Sequence, residues 1–246
     1  MARKPPSSSG APPAASSGES GPAGSSEPSA SSHRERIIDA FMELLGEQPF
    51  EEIGYGAIAK RAGVSLAQLR ENFSSAHAIL AAYVAGVDRQ LLSGGDSDMA
   101  EESPRERLFD VLMRRIELLE SRKASVRSLL RSCRRDPGLA LFLNRLAVRS
   151  QAWMLAAADI DASGPRGMIR AQGLALLYSS VLRVWLGDED PGRARTMAAL
   201  DRALARGQRV SGFLDDLCSI PRCLGRGRRR RRRYDTGESD EAAIAV

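Results

Sequence analysis

Between Ile53 and Leu80 the chain reads IGYGAIAKRAGVSLAQLRENFSSAHAIL, two short apolar-periodic stretches hinged on a glycine, and this pattern leaves few ways to fold. Ile58, Ala59 and Ala62 form a small inner face on the first stretch. Gly63 can adopt the positive φ that a sharp inter-helix turn requires. Val64 plugs the turn from inside, and Ser65 and Gln68 have the S-x-x-Q spacing of a capping box that would start a second helix. Leu69 and Phe73 then bury at i and i+4. The spacing predicts helices over 55–62 and 66–72 joined by a tight turn.

The flanking sequence extends the same logic. Ile37, Ile38, Phe41, Leu44 and Leu45 recur at helical spacing and predict a helix from His33 to Glu47; Ile79, Leu80, Tyr83, Val84, Val87 and Leu91 do so after Ser75. LLSGGDSDMAEESP breaks the pattern. Beyond it, helices are predicted over 105–120, burying Leu108, Val111, Leu112, Ile116 and Leu119, and over 124–135, burying Val126, Leu129 and Leu130. Two more begin at Pro137, running through Phe142, Leu146 and Trp153, and after Pro165, carrying Ile169, Leu174, Leu177, Val181 and Trp185. A last one is expected with Asp190 as N-cap and Pro191 at its first position. Strand-like alternation and internal repeats are absent, so the fold class is all-α. Four segments follow: a disordered Ser/Pro/Ala/Gly arm over 1–32, a helix-turn-helix domain over 33–92, a helical domain over 103–221, and an arginine-rich disordered tail over 222–246.

Few groups could support catalysis. The two histidines, His33 and His77, sit in no recognisable nucleophile or metal motif, and His77 reads as a surface residue near a helix start. Cys133, Cys218 and Cys223 lack paired CxxC spacing, so neither a metal site nor a disulfide framework is expected, and no cofactor is implied. The chain reads as a binding protein and not an enzyme. No stretch approaches the ~20 uninterrupted apolar residues of a membrane span, and Arg3 and Lys4 are not followed by the apolar run of a secretory signal. A cytoplasmic, nucleoid-associated protein is the expectation. Net charge is +5, yet the helix-turn-helix region is mildly acidic and the run from Arg226 contributes more than half of the excess.

On the second short helix the outward set is Leu66, Ala67, Gln68, Arg70, Glu71 and Asn72. Such a helix can lie in a major groove of double-stranded DNA, Arg70 offering paired donors to guanine and Gln68 or Asn72 to adenine. RIIDAFMELLGEQPFEEIGYGAIAKRAGVSLAQLRENFSS, with IAKRAGVS as its most specific part, resembles the N-terminal domain of the TetR family of transcriptional regulators. The resemblance covers about residues 33–92. It implies a homodimer that binds a pseudo-palindromic operator through this domain, and a helical C-terminal domain that takes a small-molecule effector and dimerises through its last long helices; a repressor is the family habit. DNA contacts then fall on Gly54, Tyr55, Lys60, Ser65, Leu66, Ala67, Gln68, Arg70, Glu71 and Asn72. The sequence departs from the family at Gly54, where a hydroxyl residue is usual, at Arg70, usually Tyr, and at Ala76, usually Lys. Each departure removes a phosphate-anchoring or helix-positioning group, while Arg70 restores a cation and Lys60 and Arg61 flank the turn. Altered operator preference is expected.

YSSVLRVWLGDEDPGRARTMAALDRAL, Tyr178 to Leu204, is similar to the TetR-fold lipid-binding proteins of coenzyme Q biosynthesis, which implies the alternative of a lipid-binding accessory protein that does not bind DNA. Several residues admit two readings. Gln68 can cap or read a base; Tyr55 can touch phosphate or pack. Phe142, Trp153, Tyr178 and Trp185 can line an effector pocket or fill the core. Arg183 can face an anionic ligand, join a dimer interface or extend to solvent. The run GRGRRRRRRY has no geometry for telling bases apart, so it is either a solubilising tail or an arm that strengthens phosphate contact without specifying sequence.

Overall fold

The computed structural model describes residues 30–94 and 102–207, which are helical apart from turns and connections. In chain order the helices are α1 (Ala30–Glu47), α2 (Tyr55–Ala62), α3 (Leu66–Asn72), α4 (Ala76–Ser93), α5 (Pro104–Leu119), α6 (Lys123–Ser132), α7 (Pro137–Ala157), α8 (Gly164–Leu186) and α9 (194–207). One 3-10 turn, Phe50–Glu52, lies between α1 and α2, and another, Glu120–Arg122, between α5 and α6. Side-chain caps explain most starts. Ser103 and Glu106 form a capping box ahead of α5, with Pro104 in its first turn, and the Asp136 carboxylate accepts from the Gly138 and Leu139 N–H groups at the head of α7. The arm over 1–29, the acidic connection over 95–101 and the run from 208 onward, including the arginine tail, lie outside the described residues. Helix α1 begins at Ala30, ahead of the expected His33.

Two hydrophobic clusters form. One gathers α1 to α3, the start of α4, and Leu129 and Leu139 from α6 and α7, with Ile37, Phe41, Leu45, Ile58 and Ile79 sealed from solvent. The other gathers the C-terminal half of α4 with α5, α7, α8 and α9 around Leu112, Ile116, Met154 and Trp185. Helix α4 runs through both, and Tyr83 packs against each. Where α4 enters the second cluster, Asp88 is buried and paired with the buried Arg115 of α5, and it accepts a 2.8 Å hydrogen bond from Ser150 of α7. One carboxylate thus ties three helices.

Two further elements depart from the sequence reading. Helix α6 buries Ser125, Ser128, Leu129 and Ser132, while Val126 and Leu130 are only half-buried. Its hydroxyl face lies against α1. Ser125 Oγ donates to the Met42 carbonyl at 2.6 Å, Ser128 Oγ to that of Gln48 at 3.1 Å, and the Phe50 N–H donates to Ser132 Oγ at 3.1 Å. Small side chains allow this approach, and Gly46 completes it, since a Cβ there would stand 3.3 Å from Ser125 Oγ. Apolar periodicity finds oily faces; it does not see a face that buries by being small. Helix α9 starts at 194, not at Pro191. Pro191 and Gly192 form a turn, Arg193 takes φ 53°, and its guanidinium reaches Glu117 at 3.3 Å and Glu120 at 3.8 Å. The helix start is held by Asp188, whose Oδ2 accepts from the Thr196 N–H at 2.9 Å and hydroxyl at 2.6 Å, with Asp190 accepting from Gly192 and Ala194.

Asp88→Ala would leave the Arg115 guanidinium buried without its carboxylate, and urea unfolding should show a loss of about 3–5 kcal/mol; the double exchange Asp88→Leu with Arg115→Met should recover most of it. The Thr196 hydrogen bonds hold the Asp188 carboxyl below the usual aspartate range. Its contribution is therefore present above the unfolded-state value and lost as pH falls through the lower folded-state one. Asp188→Asn should flatten the acid limb of a stability profile and leave its neutral and alkaline parts parallel to those of the parent.

Candidate nucleic-acid interface

The turn between α2 and α3 is built as its sequence requires. Gly63 sits at φ 63°, ψ 40°, in the left-handed region that a side chain rarely adopts, and its N–H closes α2 onto Lys60 at 3.3 Å. Val64 follows, half-buried against the first cluster, its N–H reaching the Ala59 carbonyl at 3.0 Å. Ser65 then opens α3 with both arms of a capping box: its Oγ accepts from the Gln68 N–H at 3.1 Å, and its own N–H donates to Gln68 Oε1 at 2.9 Å. Leu69 and Phe73 are buried. That burial sets the rotation of α3 and leaves Leu66, Ala67, Arg70 and Glu71 in solvent.

The structure separates the sequence-derived site residues by what they are free to do. Arg70 and Lys60 are exposed and have no hydrogen-bond or ion-pair partner among the described residues. Leu66 is 59% exposed and Tyr55, at the first turn of α2, 52%, so Tyr55 does not pack into the core. Gly54 is the N-cap of α2 without a side-chain bond, and a Cβ there would meet nothing within 4 Å. Gln68 has its amide oxygen committed to the cap, and Asn72 Nδ2 donates to the Gln68 carbonyl at 2.9 Å. Each amide has one end committed to the backbone of α3, so a two-point base contact by either requires that bond to be exchanged.

Arg61 differs from expectation. Its guanidinium forms a two-pronged pair with Glu47 at 2.9 and 2.8 Å and reaches Glu43 at 3.5 Å, which holds the Glu47 carboxyl below the usual carboxylate range. This pair braces α2 against α1 and removes Arg61 from the cations at the turn. The sequence could not reveal it, because the pairing spans two helices.

Two cations from α1 escaped the sequence reading. Arg34 Nη1 donates to the Asn72 carbonyl at the end of α3, 3.1 Å, and its guanidinium carbon lies 4.3 Å from the centre of the Phe73 ring. Arg36 approaches the turn, with Nη1 3.7 Å from where a Gly63 Cβ would stand. Polar positions on an amphipathic helix carry no signal of which neighbour they reach. His77 is likewise not a plain surface residue: its ring lies edge-on between Phe50 and Phe142, at centroid distances of 5.1 and 4.7 Å.

The four aromatic residues considered for an effector pocket do not converge. Phe142 joins the first cluster beside His77; Trp153 is 54% exposed; Tyr178 is buried near Arg115, its phenol pushed up by burial; and Trp185 fills the second core, its indole N–H donating to Glu120 at 2.8 Å. A strongly apolar cavity lies elsewhere. It measures about 630 Å³ and is lined by Leu108 of α5, Leu155 and Ile160 around the end of α7, Leu174 and Leu177 of α8, and Ala203 and Leu204 of α9. Aromatic residues spaced along α7 and α8 point in several directions, and aliphatic residues make up most of the lining, joined by Arg105, Arg170 and Arg206.

No protein-family model matches the chain, and no curated protein matches it by sequence. Solved structures do match by shape. A TetR transcriptional regulator from Nitrosomonas europaea superposes with a TM-score of 0.57 at 20% identity over 71% of this chain and 97% of the other. A tetR-family regulator from Streptomyces coelicolor gives 0.52 at 16% identity over 79% and 89%, and a TetR regulator from Rhodococcus sp. RHA1 gives 0.50 at 22% over 72% and 96%. The chain has the TetR-regulator fold. IAKRAGVS and its flanks fall on α1 to α3, and α5 to α9 form the helical remainder. Among the described residues no helix is long and apolar enough to cross a membrane, and no group of His, Cys, Asp and Glu is placed to hold a metal ion.

Ser65→Ala removes one arm of the capping box and should destabilise the protein by about 0.5–2 kcal/mol in thermal or urea unfolding. Ser65→Asp, which preserves the acceptor, should recover most of the loss.

Proposed function

We propose that this protein is a dimeric DNA-binding transcriptional regulator whose α3 enters the major groove, with Arg70 as its principal base-reading side chain. The observation that carries the reading is the orientation of α3: Gly63, the capping box and the burial of Leu69 and Phe73 turn an unpartnered Arg70 outward between Leu66 and Glu71. Lys60, Tyr55 and the backbone at Gly54 flank it for phosphate contact. Ser65, Ala67, Gln68 and Asn72 complete the contact surface. Two such helices, one from each protomer, would read a pseudo-palindromic operator at successive grooves about 34–36 Å apart.

Helix α8 supports the dimer. Ile169 and Leu176 are 59% and 61% exposed and share a face with Gly173 and Ser180, an apolar and small-residue stripe suited to a second copy of the same helix. Ile169 and Leu176 also line the 630 Å³ cavity, so pairing through α8 would close its open side over a small-molecule effector. An effector that binds better when the reading helices are misplaced would lower operator affinity, and linkage requires DNA to weaken the effector equally; this is the action of a repressor. The same aliphatic cavity is what favours the second reading, a lipid-binding accessory protein without operator preference. The arginine tail is assigned an accessory role, strengthening phosphate contact without reading bases. A nucleoid-associated, cytoplasmic location follows from this role.

Fluorescence anisotropy with DNA from upstream of the protein's own gene, at physiological salt and with random competitor, tests the reading. Specific binding should exceed competitor binding, and Arg70→Ala should abolish that preference, at about 1–3 kcal/mol for a paired guanine contact. Replacing Arg226 and Arg228 to Arg233 by Gln should weaken binding to all sequences alike and flatten the salt dependence by up to about 0.9 log units for each phosphate that the tail neutralises. Equal affinity for upstream and random DNA would overturn the regulator in favour of the lipid-binding reading.

A further inference from the structure

A second concavity lies on the outer side of α6, away from the aliphatic cavity. Arg127, Arg131 and Arg134 recur at i, i+4 and i+7 on α6 and its C-terminal turn, and with Arg183 of α8 they line a groove of about 580 Å³ that also carries Leu130 and Leu186. All four arginines are exposed. Arg127 donates to the Leu186 carbonyl at 2.5 Å, which fastens α6 to the end of α8. The side chains of Arg131, Arg134 and Arg183 have no hydrogen-bond or ion-pair partner among the described residues.

The contrast along α6 and its approach is informative. Arg122 pairs with Asp39 at 2.6 Å, Lys123 with Glu120 at 3.3 Å and Arg135 with Glu51 at 3.9 Å. Cations in this part of the chain find carboxylates except where they line the groove. Burial, and after it the nearby Asp136, push the Cys133 thiol up, and Asp136 has its Oδ1 committed to the Gly138 and Leu139 N–H groups. Like charges sharing one concavity repel, and an anion relieves that repulsion.

We propose that this groove binds a phosphorylated small molecule through a pyrophosphate or polyphosphate group. Guanidinium forks match phosphate oxygens in pairs, several phosphoryl oxygens answer several forks at once, and Leu130 and Leu186 offer an apolar floor to whatever the phosphates are attached to. The volume is that of a small-molecule site. Another face of α6 presents Ser125, Ser128 and Ser132 to α1, so occupancy of the groove bears on the helix that braces α2 and α3. This regulatory consequence rests on the DNA-binding reading; the binding site does not.

Calorimetric titration of the full chain with inorganic pyrophosphate, without DNA, tests the site. The same titration on a chain with Arg228 to Arg233 replaced by Gln separates the groove from the arginine tail. Pyrophosphate should bind both chains, Arg131→Gln with Arg134→Gln should weaken it at least tenfold with an unchanged circular dichroism spectrum, and Arg183→Gln, on a different helix, should also weaken it. Bound pyrophosphate should slow alkylation of Cys133, which lines the groove, as read by peptide mass spectrometry. Binding that survives both exchanges, that vanishes when only the tail is neutralised, or that leaves Cys133 unprotected would overturn the site. ATP binding more tightly than pyrophosphate would mark a nucleotide using the apolar floor; equal binding would mark phosphate recognition alone. Saturating pyrophosphate should then shift the anisotropy curve of the parent and not of the Arg131→Gln, Arg134→Gln chain, and an unmoved curve would overturn the regulatory role.

Discussion

The contact between α1 and α6 holds this molecule together as a regulator-shaped object. Helix α1 is the spine of the helix-turn-helix, and α6 lies against it with hydroxyls at Ser125, Ser128 and Ser132 in place of a hydrophobic ridge. Small side chains bring the backbones near, and their hydroxyls donate to the Met42 carbonyl in the last turns of α1 and to the Gln48 carbonyl just past its end. Because those bonds are directional, α6 cannot slide along α1 as a greasy interface could. The aromatic stack of Phe50, His77 and Phe142 fastens the same junction from the side of α7.

Helix α4 supplies the second link. Ile79 and Leu80 belong to one cluster, Val87 and Leu91 to the other, and Asp88 is paired at the point of entry. A buried ion pair adds little net stability, because desolvation offsets its attraction, but removing one partner is costly. It therefore fixes how α4, α5 and α7 meet more than how strongly they do. The boundary that the sequence pattern places after residue 92 does not divide the packing: Leu129, Leu139 and Phe142, well beyond it, complete the core around α1 to α3.

Much of the fold was legible in the chain. The limits of α2 and α3 follow from Gly63 and the Ser65/Gln68 box, because those signals act over a few residues and depend on no distant partner. The start of α7 at Pro137 was legible for the same reason. The start of α9 was not, since Asp190 and Pro191 are a good local signal overruled by Asp188 and by the reach of Arg193 to α5. Among the site residues, Arg70 could be picked out as outward-facing once Leu69 was assigned to the core. Arg61 could not be told from Lys60, although one is locked to Glu43 and Glu47 and the other is free.

The sequence by itself determined an all-helical chain, the geometry of its turn-linked helix pair and the side of α3 that meets solvent. These follow from periodicity, capping and the conformational freedom of one glycine, all of which are local. Only the tertiary structure decided which cations remain available and which are neutralised, that a serine face is a buried one, and that an apolar cavity is lined by aliphatic residues while the aromatic residues scatter. Those outcomes depend on which helices become neighbours, and a polar or small residue carries no mark of its neighbour until the chain has folded.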